Sequence, residues 1–165
     1  MPDIGCGTLR GGRHFIACVE ARKYTGFEVS SNALSEASRL IQREGLTEKR
    51  AALVFNAGMG LRFEEFKDPF DVLLARSVLT HLTEPRIEEC FANVGRIMHA
   101  GSRFYSTFLP SSTPSQFGAG NFRYPLAFFA ATAERHGLDL EARDDYAHPR
   151  GQRMAVLKLR SNYHQ

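Results

Sequence analysis

The sequence contains no apolar run approaching the ~20 residues that a membrane-spanning helix needs. Nor does it contain a Pro/Ser-rich or repetitive stretch of the kind that marks a linker, a disordered arm or a solenoid. Cysteine is scarce: Cys6, Cys18 and Cys90 are odd in number and form no C-x-x-C pair. That argues against both a disulfide framework and a zinc knuckle, and leaves reduced core thiols. An excess of one charge is missing too. The 21 Lys and Arg are nearly matched by 18 Asp and Glu, for a net charge of +3. No Lys/Arg run makes a nucleic-acid stripe, and no ligand cluster has the spacing of a metal site. No apolar segment stands ahead of the first glycines, so no signal peptide is expected. These absences predict a soluble, cytoplasmic protein with no membrane, nucleic-acid or metal partner.

What is present fits one ordinary domain: 165 residues, 43% of them hydrophobic, are enough for a single core. The most informative stretch is Asp3-Ile4-Gly5-Cys6-Gly7-Thr8-Leu9-Arg10-Gly11-Gly12-Arg13, which reads as a strand end, a glycine turn and the start of a helix over 12–19. Closely spaced glycines let a ligand approach the backbone, and a helix start offers free N–H groups. Spacing narrows the ligand. The dinucleotide fingerprint G-x-G-x-x-G would need a third glycine where Arg10 stands. A P-loop would need Lys and a hydroxyl residue where Arg13-His14 stand. A nicotinamide-dependent reductase could use Gly5, Gly7 and Gly11, but neither Tyr105 nor Tyr124 has the Lys four residues on that such enzymes often use.

Along the chain, strands and helices alternate. Lys23 to Phe27 reads as a strand closed by Glu28. Ser30-Ser31-Asn32 offers an N-cap for a helix carrying Leu34, Ala37, Leu40 and Ile41, stopped by Gly45. Ala52 to Phe55 is expected as a short buried strand, and Phe70 to Ala75 as one covered on both faces. Thr83 and Pro85 open a helix with Ile87, Cys90, Phe91, Val94, Ile97 and Met98 on one stripe. Arg103 to Leu109 is a strand, Pro110 to Tyr124 a long loop, and Pro125 to His136 a helix. Leu138 to Tyr146 and Arg153 to Arg160 are joined by a loop too short for a crossover helix, so they must be antiparallel neighbours. The fold class is therefore α/β, a sheet parallel except at its C-terminal strand.

Asp3-Ile4-Gly5-Cys6-Gly7 also spells D-x-G-x-G, and the chain resembles the class I S-adenosylmethionine-dependent methyltransferases over nearly its whole length. The likeness is to a branch whose loop reads D-I-G-C-G-x-L-R-G-G. Three later stretches support it by their order in the chain: Tyr24 to Glu28, then Phe70 to Leu82, then Gly101 to Tyr105. The resemblance implies a Rossmann-like, seven-stranded, mostly parallel sheet with helices on both faces and an antiparallel last strand. It also implies a single domain over 1–165. Only Met1 and Pro2 precede Asp3, so the first strand is expected to be short, with its preceding helix and part of the strand lacking.

The resemblance implies S-adenosyl-L-methionine as cofactor and gives Asp3 a part in orienting its methionine end, although an Asp beside glycines is also a common turn residue. Gly5 and Gly7 would let the backbone approach the cofactor, with backbone contacts from Cys6, and Leu9 is expected to narrow the loop. Glu28 can accept hydrogen bonds from both ribose hydroxyls, or sit solvated near a helix start. Val29 would pack near the adenine. Asn56 or Ala57 would meet the adenine edge, or make a polar turn. Arg76 and Ser77 would turn their backbones to the methionyl part. His81 is the candidate base, with a structural role as the alternative. Tyr105, Arg123, Tyr124, His148 and Arg150 are candidate contacts to a small-molecule acceptor. The expected reaction is in-line methyl transfer. The alternative is a catalytically inactive, methyltransferase-like scaffold.

Overall fold

The computed structural model describes residues 1–56, 66 and 68–161. The chain forms two compact units, Met1–Gly60 and Leu61–Gln165.

In the first unit β1 (Pro2–Ile4) leads through the glycine turn into α1 (Gly12–Cys18), and β2 (Thr25–Glu28), α2 (Ser31–Arg43) and β3 (Ala52–Phe55) come after it. β2 lies between β1 and β3 and is parallel to both, with Asp3 opposite Gly26 and Glu28 opposite Phe55. The strands are short but their ladders run on past both ends. Thr25 N–H donates to the Met1 carbonyl at 3.0 Å and Asn56 N–H to the Glu28 carbonyl at 2.8 Å. Pro2 takes the first position of β1, where a missing N–H is tolerated. Ser30 caps α2, its side chain accepting from Ala33 N–H at 3.2 Å. Leu9, Ile16, Tyr24, Ala37 and Leu40 form the buried core, with Cys6, Val19, Ile41 and Leu53 packed on it. β3 is less covered than its apolar run implies. Among the described residues of this unit it pairs with β2 alone, and its Phe55 is 53% exposed.

The second unit carries β4 (Val72–Ala75), a single helical turn at Leu79–His81, α3 (Glu84–Arg96), β5 (Arg103–Phe108), β6 (Ser115–Phe117), β7 (Asn121–Arg123), α4 (Leu126–Arg135), β8 (Leu138–Arg143) and β9 (Arg153–Leu159). β4 and β5 are parallel, whereas β9 runs antiparallel to β5 and β8 on either side of it, as the short connection requires. Ile87, Cys90, Phe91 and Val94 are the buried stripe of α3. An aromatic cluster fills the core: Phe91 meets Phe104 edge-on at 6.4 Å, and Phe129 lies 4.6 Å from Phe108. No helix of the described residues is long and apolar enough to cross a membrane.

Residues 110–124 are not the plain loop expected from their composition. β6 and β7 pair antiparallel around Gly118-Ala119-Gly120, with Ser115 opposite Arg123. The hairpin is tied down at its base, where Tyr124 N–H donates to the Leu109 carbonyl at 3.1 Å. Ser, Pro and Gly content hid it, because three-residue strands leave too few positions for alternation to be read.

Glu88 on α3 ties down the C-terminal end of α4, pairing with Arg135 and, at 2.7 Å, with His136 Nε2. Burial works against its charge, but hydrogen bonds and attraction from Arg135 and His136 outweigh that and hold its carboxyl below the usual value. A depressed folded value contributes stability above the unfolded pKa and loses it as pH falls through the folded one. Glu88→Gln should therefore lower the melting temperature at pH 7, only modestly because the pair is partly solvated, and flatten its decline between about pH 5 and pH 3 to the same extent. Thermal unfolding across that range reads it.

Candidate functional site

The glycine turn owes its shape to what lies beneath it. Gly5 and Gly7 have φ of +64° and +56°, values glycine takes without strain. Leu9 has φ +61° and is fully buried. It is thus a core anchor and not the narrowing element expected, its backbone strain of about 1–2 kcal/mol offset by burial of a leucine side chain worth about 1.5–3 kcal/mol. Gly12 is forced by packing. A Cβ there would lie 2.3 Å from Tyr24 Oη and 2.6 Å from Leu9 Cδ2. The Tyr24 hydroxyl donates to Asp3 Oδ2, and Asp3 is 4% exposed, so Asp3 braces the underside of the turn. Cys6 donates its N–H to the Phe27 carbonyl at 3.0 Å. Its Sγ lies where a side chain on Gly26 would have to go, 2.7 Å from an added Cβ.

The upper side of the turn is open. A Cβ on Gly7 would meet nothing within 4 Å. Gly7 N–H donates to Glu28 Oε2 at 2.9 Å, while Glu28 Oε1 accepts from Val29 N–H at 2.8 Å and Ser30 N–H at 3.0 Å. Three amides thus hold one carboxylate at the carboxyl end of β2, where open α/β sheets bind their ligands. Val29, beside it, is 49% exposed. Asn56 comes directly after β3, half-buried, its N–H on the Glu28 carbonyl. Ala57 lies outside the described residues. Asp3, Gly5, Cys6, Gly7, Glu28, Val29 and Asn56 are therefore gathered around one turn.

The thiols are set by the same packing. Burial first, then the carboxylates of Asp3 and Glu28, push Cys6 up to about 12, and burial with Glu89 does the same to Cys90. Both therefore stay protonated and unreactive near neutrality. Native protein treated with iodoacetamide at pH 8 should be modified at Cys18, which is exposed, with the other two reacting only after denaturation. Peptide mass mapping checks this, and native modification of Cys6 would contradict it.

In the second unit, Arg76 and Ser77 come directly after β4. Arg76 is exposed, and Ser77 is held at φ +60° with its N–H on Thr107 Oγ1 at 2.7 Å. His81 is exposed, and its Nδ1 lies 3.2 Å from the Gly120 carbonyl. A carbonyl only accepts, so Nδ1 carries a proton, and in the neutral form of the ring the lone pair lies on Nε2. Tyr105 is half-buried on β5. Arg123 stacks its guanidinium 4.4 Å over the Phe117 ring on the β6–β7 hairpin. Tyr124 is 4% exposed and donates to the Leu82 carbonyl at 3.1 Å, which makes it a buried tie to the segment after His81. His148 accepts from Arg150 N–H at 3.2 Å within its own turn. The hairpin thus brings His81, Phe117 and Arg123 to one small element, while Tyr124 packs below. Phe117, Gly120, Thr107 and Gln152 were not singled out from the sequence. A G-x-G with Phe117 on one side and Phe122 on the other was the one signal for the hairpin.

The family described as "Methyltransferase domain" matches residues 3–104. No curated protein sequence matches the chain. Solved structures do. Magnesium protoporphyrin IX methyltransferase from Synechocystis, with bound SAM, superposes with TM-score 0.74 at 13% identity, over 97% of this chain and 69% of its own. A TehB-like SAM-dependent methyltransferase from Corynebacterium glutamicum gives TM-score 0.68 at 22% identity, over 96% and 79%. The CcbJ methyltransferase from Streptomyces caelestis gives 0.76 at 14%, over 97% and 83%. At these identities the likeness is one of fold, a mostly parallel Rossmann-like sheet ending in an antiparallel strand.

Proposed function

Since this chain belongs to the methyltransferase-domain family, we propose that it is an S-adenosyl-L-methionine-dependent enzyme that methylates a small-molecule acceptor. We place it in the branch whose loop reads D-I-G-C-G-x-L-R-G-G, acting as one cytoplasmic domain over residues 1–165. The observation that carries the reading is the Glu28 carboxylate, fixed by three amides beside an open glycine turn. A carboxylate has about four lone-pair positions; Oε1 already accepts two amides and Oε2 one, so one position on Oε2 remains for a ribose hydroxyl. Val29 offers an apolar surface to an adenine, and Asn56 an amide to its edge. Asp3 acts through the turn it braces. When bound, the sulfonium supplies a methyl group already activated for in-line attack.

The residues' part is then alignment and proton handling. His81 Nε2 takes the proton that an acceptor hydroxyl or ammonium must lose. Tyr105, Arg123 and His148 lie on elements of the second unit and are assigned to the acceptor. The absence of a basic run disfavours a nucleic-acid substrate.

The test is release of S-adenosylhomocysteine across a panel of phenols, catechols, amines and carboxylic acids. His81→Asn should lower kcat by about 10²–10³-fold, the usual share of a general base, with cofactor affinity unchanged. An unchanged kcat would remove His81 from the chemistry. Cofactor binding without turnover of any acceptor would favour the scaffold alternative.

A further inference from the structure

Three residues distant in sequence meet at the carboxyl ends of β4 and β5. Ser77 lies two positions past β4, Thr107 is fully buried near the end of β5, and Gln152 immediately precedes β9. β9 runs against β5, and Arg153 pairs with Phe108, so the start of β9 returns to the edge where β5 ends. Ser77 N–H donates to Thr107 Oγ1 at 2.7 Å. The Thr107 and Ser77 hydroxyls both donate to Gln152 Oε1, at 2.6 and 3.1 Å.

This pattern fixes which way the Gln152 amide points. Thr107 is buried, and turned the other way the amide would leave its hydroxyl proton without an acceptor among the described residues, so the carbonyl end of the amide faces it. The NH2 end faces the other way. Gln152 is 7% exposed, and its Nε2 has no hydrogen-bond partner among the described residues. Among those residues no side-chain nitrogen or oxygen that is sealed from solvent lacks a partner, so Nε2 is the end that opens to the surface. A glutamine needed only to tie two hydroxyls gains nothing from an amide held rigid with two unused donors. Ser77, a non-glycine residue at φ +60°, shows that backbone strain is accepted to keep the arrangement.

We propose that the Ser77–Thr107–Gln152 network presents Gln152 Nε2 as an oriented donor to a carbonyl or carboxylate oxygen of the acceptor. Gln152 then selects acceptors that carry such an oxygen. A donor-only group has nothing to offer an ammonium, so simple amines without an oxygen are disfavoured. The name of the ligand rests on the methyl-transfer reading, but the oxygen site itself does not.

The experiment uses the full chain, labelled with nitrogen-15, and tracks the side-chain amide pair of Gln152, assigned by through-bond correlation. Acetate, acetamide and benzoate are titrated in turn, with methylammonium as control. The Gln152 pair should shift saturably with the oxygen probes and stay still with methylammonium. Gln152→Glu keeps an oxygen for both hydroxyls but replaces the donor by an acceptor. It should weaken benzoate at least tenfold while S-adenosylmethionine affinity stays within twofold of the parent.

A Gln152 pair unmoved by all three oxygen probes overturns the proposal, as does a folded Gln152→Glu protein that binds them equally well. If the variant fails to fold, the titration of the parent chain still decides. Cofactor binding without a Gln152 response removes this site alone. A Gln152 response in a chain that binds no cofactor removes the methyl-transfer reading and keeps the site.

Discussion

Glu28→Ala lowers affinity for S-adenosylmethionine by about 10- to 100-fold, read by calorimetric titration. The size comes from one hydrogen bond between a ribose hydroxyl and the free position on the carboxylate, worth about 1.5–3 kcal/mol when one partner is charged. The same change frees Gly7 N–H, Val29 N–H and Ser30 N–H, which Glu28 now holds. Val29 and Ser30 are exposed and can turn to water, so the melting temperature should fall by only about 2–4 °C, the equivalent of about 1 kcal/mol in a chain of this size. Glu28→Gln is more telling. Its amide oxygen can still serve Val29 and Ser30, but its NH2 end would then face the Gly7 N–H, donor against donor. Affinity should fall by less than in Glu28→Ala, because the NH2 end can still donate to a ribose hydroxyl oxygen. Affinity within threefold of the parent in Glu28→Ala would mean that the carboxylate only braces the turn.

The second large effect separates two glycines of the same turn. Gly12→Ala should destabilise the chain by about 3 kcal/mol or more, at the upper end of overpacking costs, which is about 6–12 °C in melting temperature. The added Cβ has nowhere to go: Tyr24 Oη is 2.3 Å away and Leu9 Cδ2 2.6 Å, and both side chains are buried. Moving Tyr24 also disturbs its hydrogen bond to Asp3. Gly7→Ala meets no atom within 4 Å and carries only the strain of φ +56°, about 1 kcal/mol, the low end of the cost for a left-handed residue. Its fold should survive with a loss of about 2–4 °C, yet its cofactor affinity should drop at least tenfold, because the open face that a ligand needs is partly filled. Calorimetric unfolding and titration of the pair check this. Equal destabilisation of the two would refute the assignment of one glycine to packing and the other to the ligand.

The strand, turn and helix around Asp3 to Gly12 were legible because glycine spacing set aside the dinucleotide and P-loop readings, and Glu28 closes the next strand. The role of Leu9 was not legible. A leucine in a glycine position looks like an intrusion until Ile16, Tyr24 and Leu40 are seen to form a core beneath it. Tyr124 misled in the opposite direction. An aromatic residue beside Pro125 at the end of a polar segment reads as a ligand contact, but its hydroxyl is bound to a carbonyl 42 residues earlier. Gln152 left no trace in local pattern, since its partners lie 45 and 75 residues away. Periodicity reports which face of an element is buried, and it carries no information about which buried polar groups meet.

The most direct test of the central claim is calorimetric titration of the whole chain with S-adenosylmethionine, with NAD and NADP as comparison ligands. One equivalent of S-adenosylmethionine bound, with neither nicotinamide cofactor binding, is the result expected from the glycine turn and Glu28. A folded chain that binds no S-adenosylmethionine, or that prefers a nicotinamide cofactor, would contradict it.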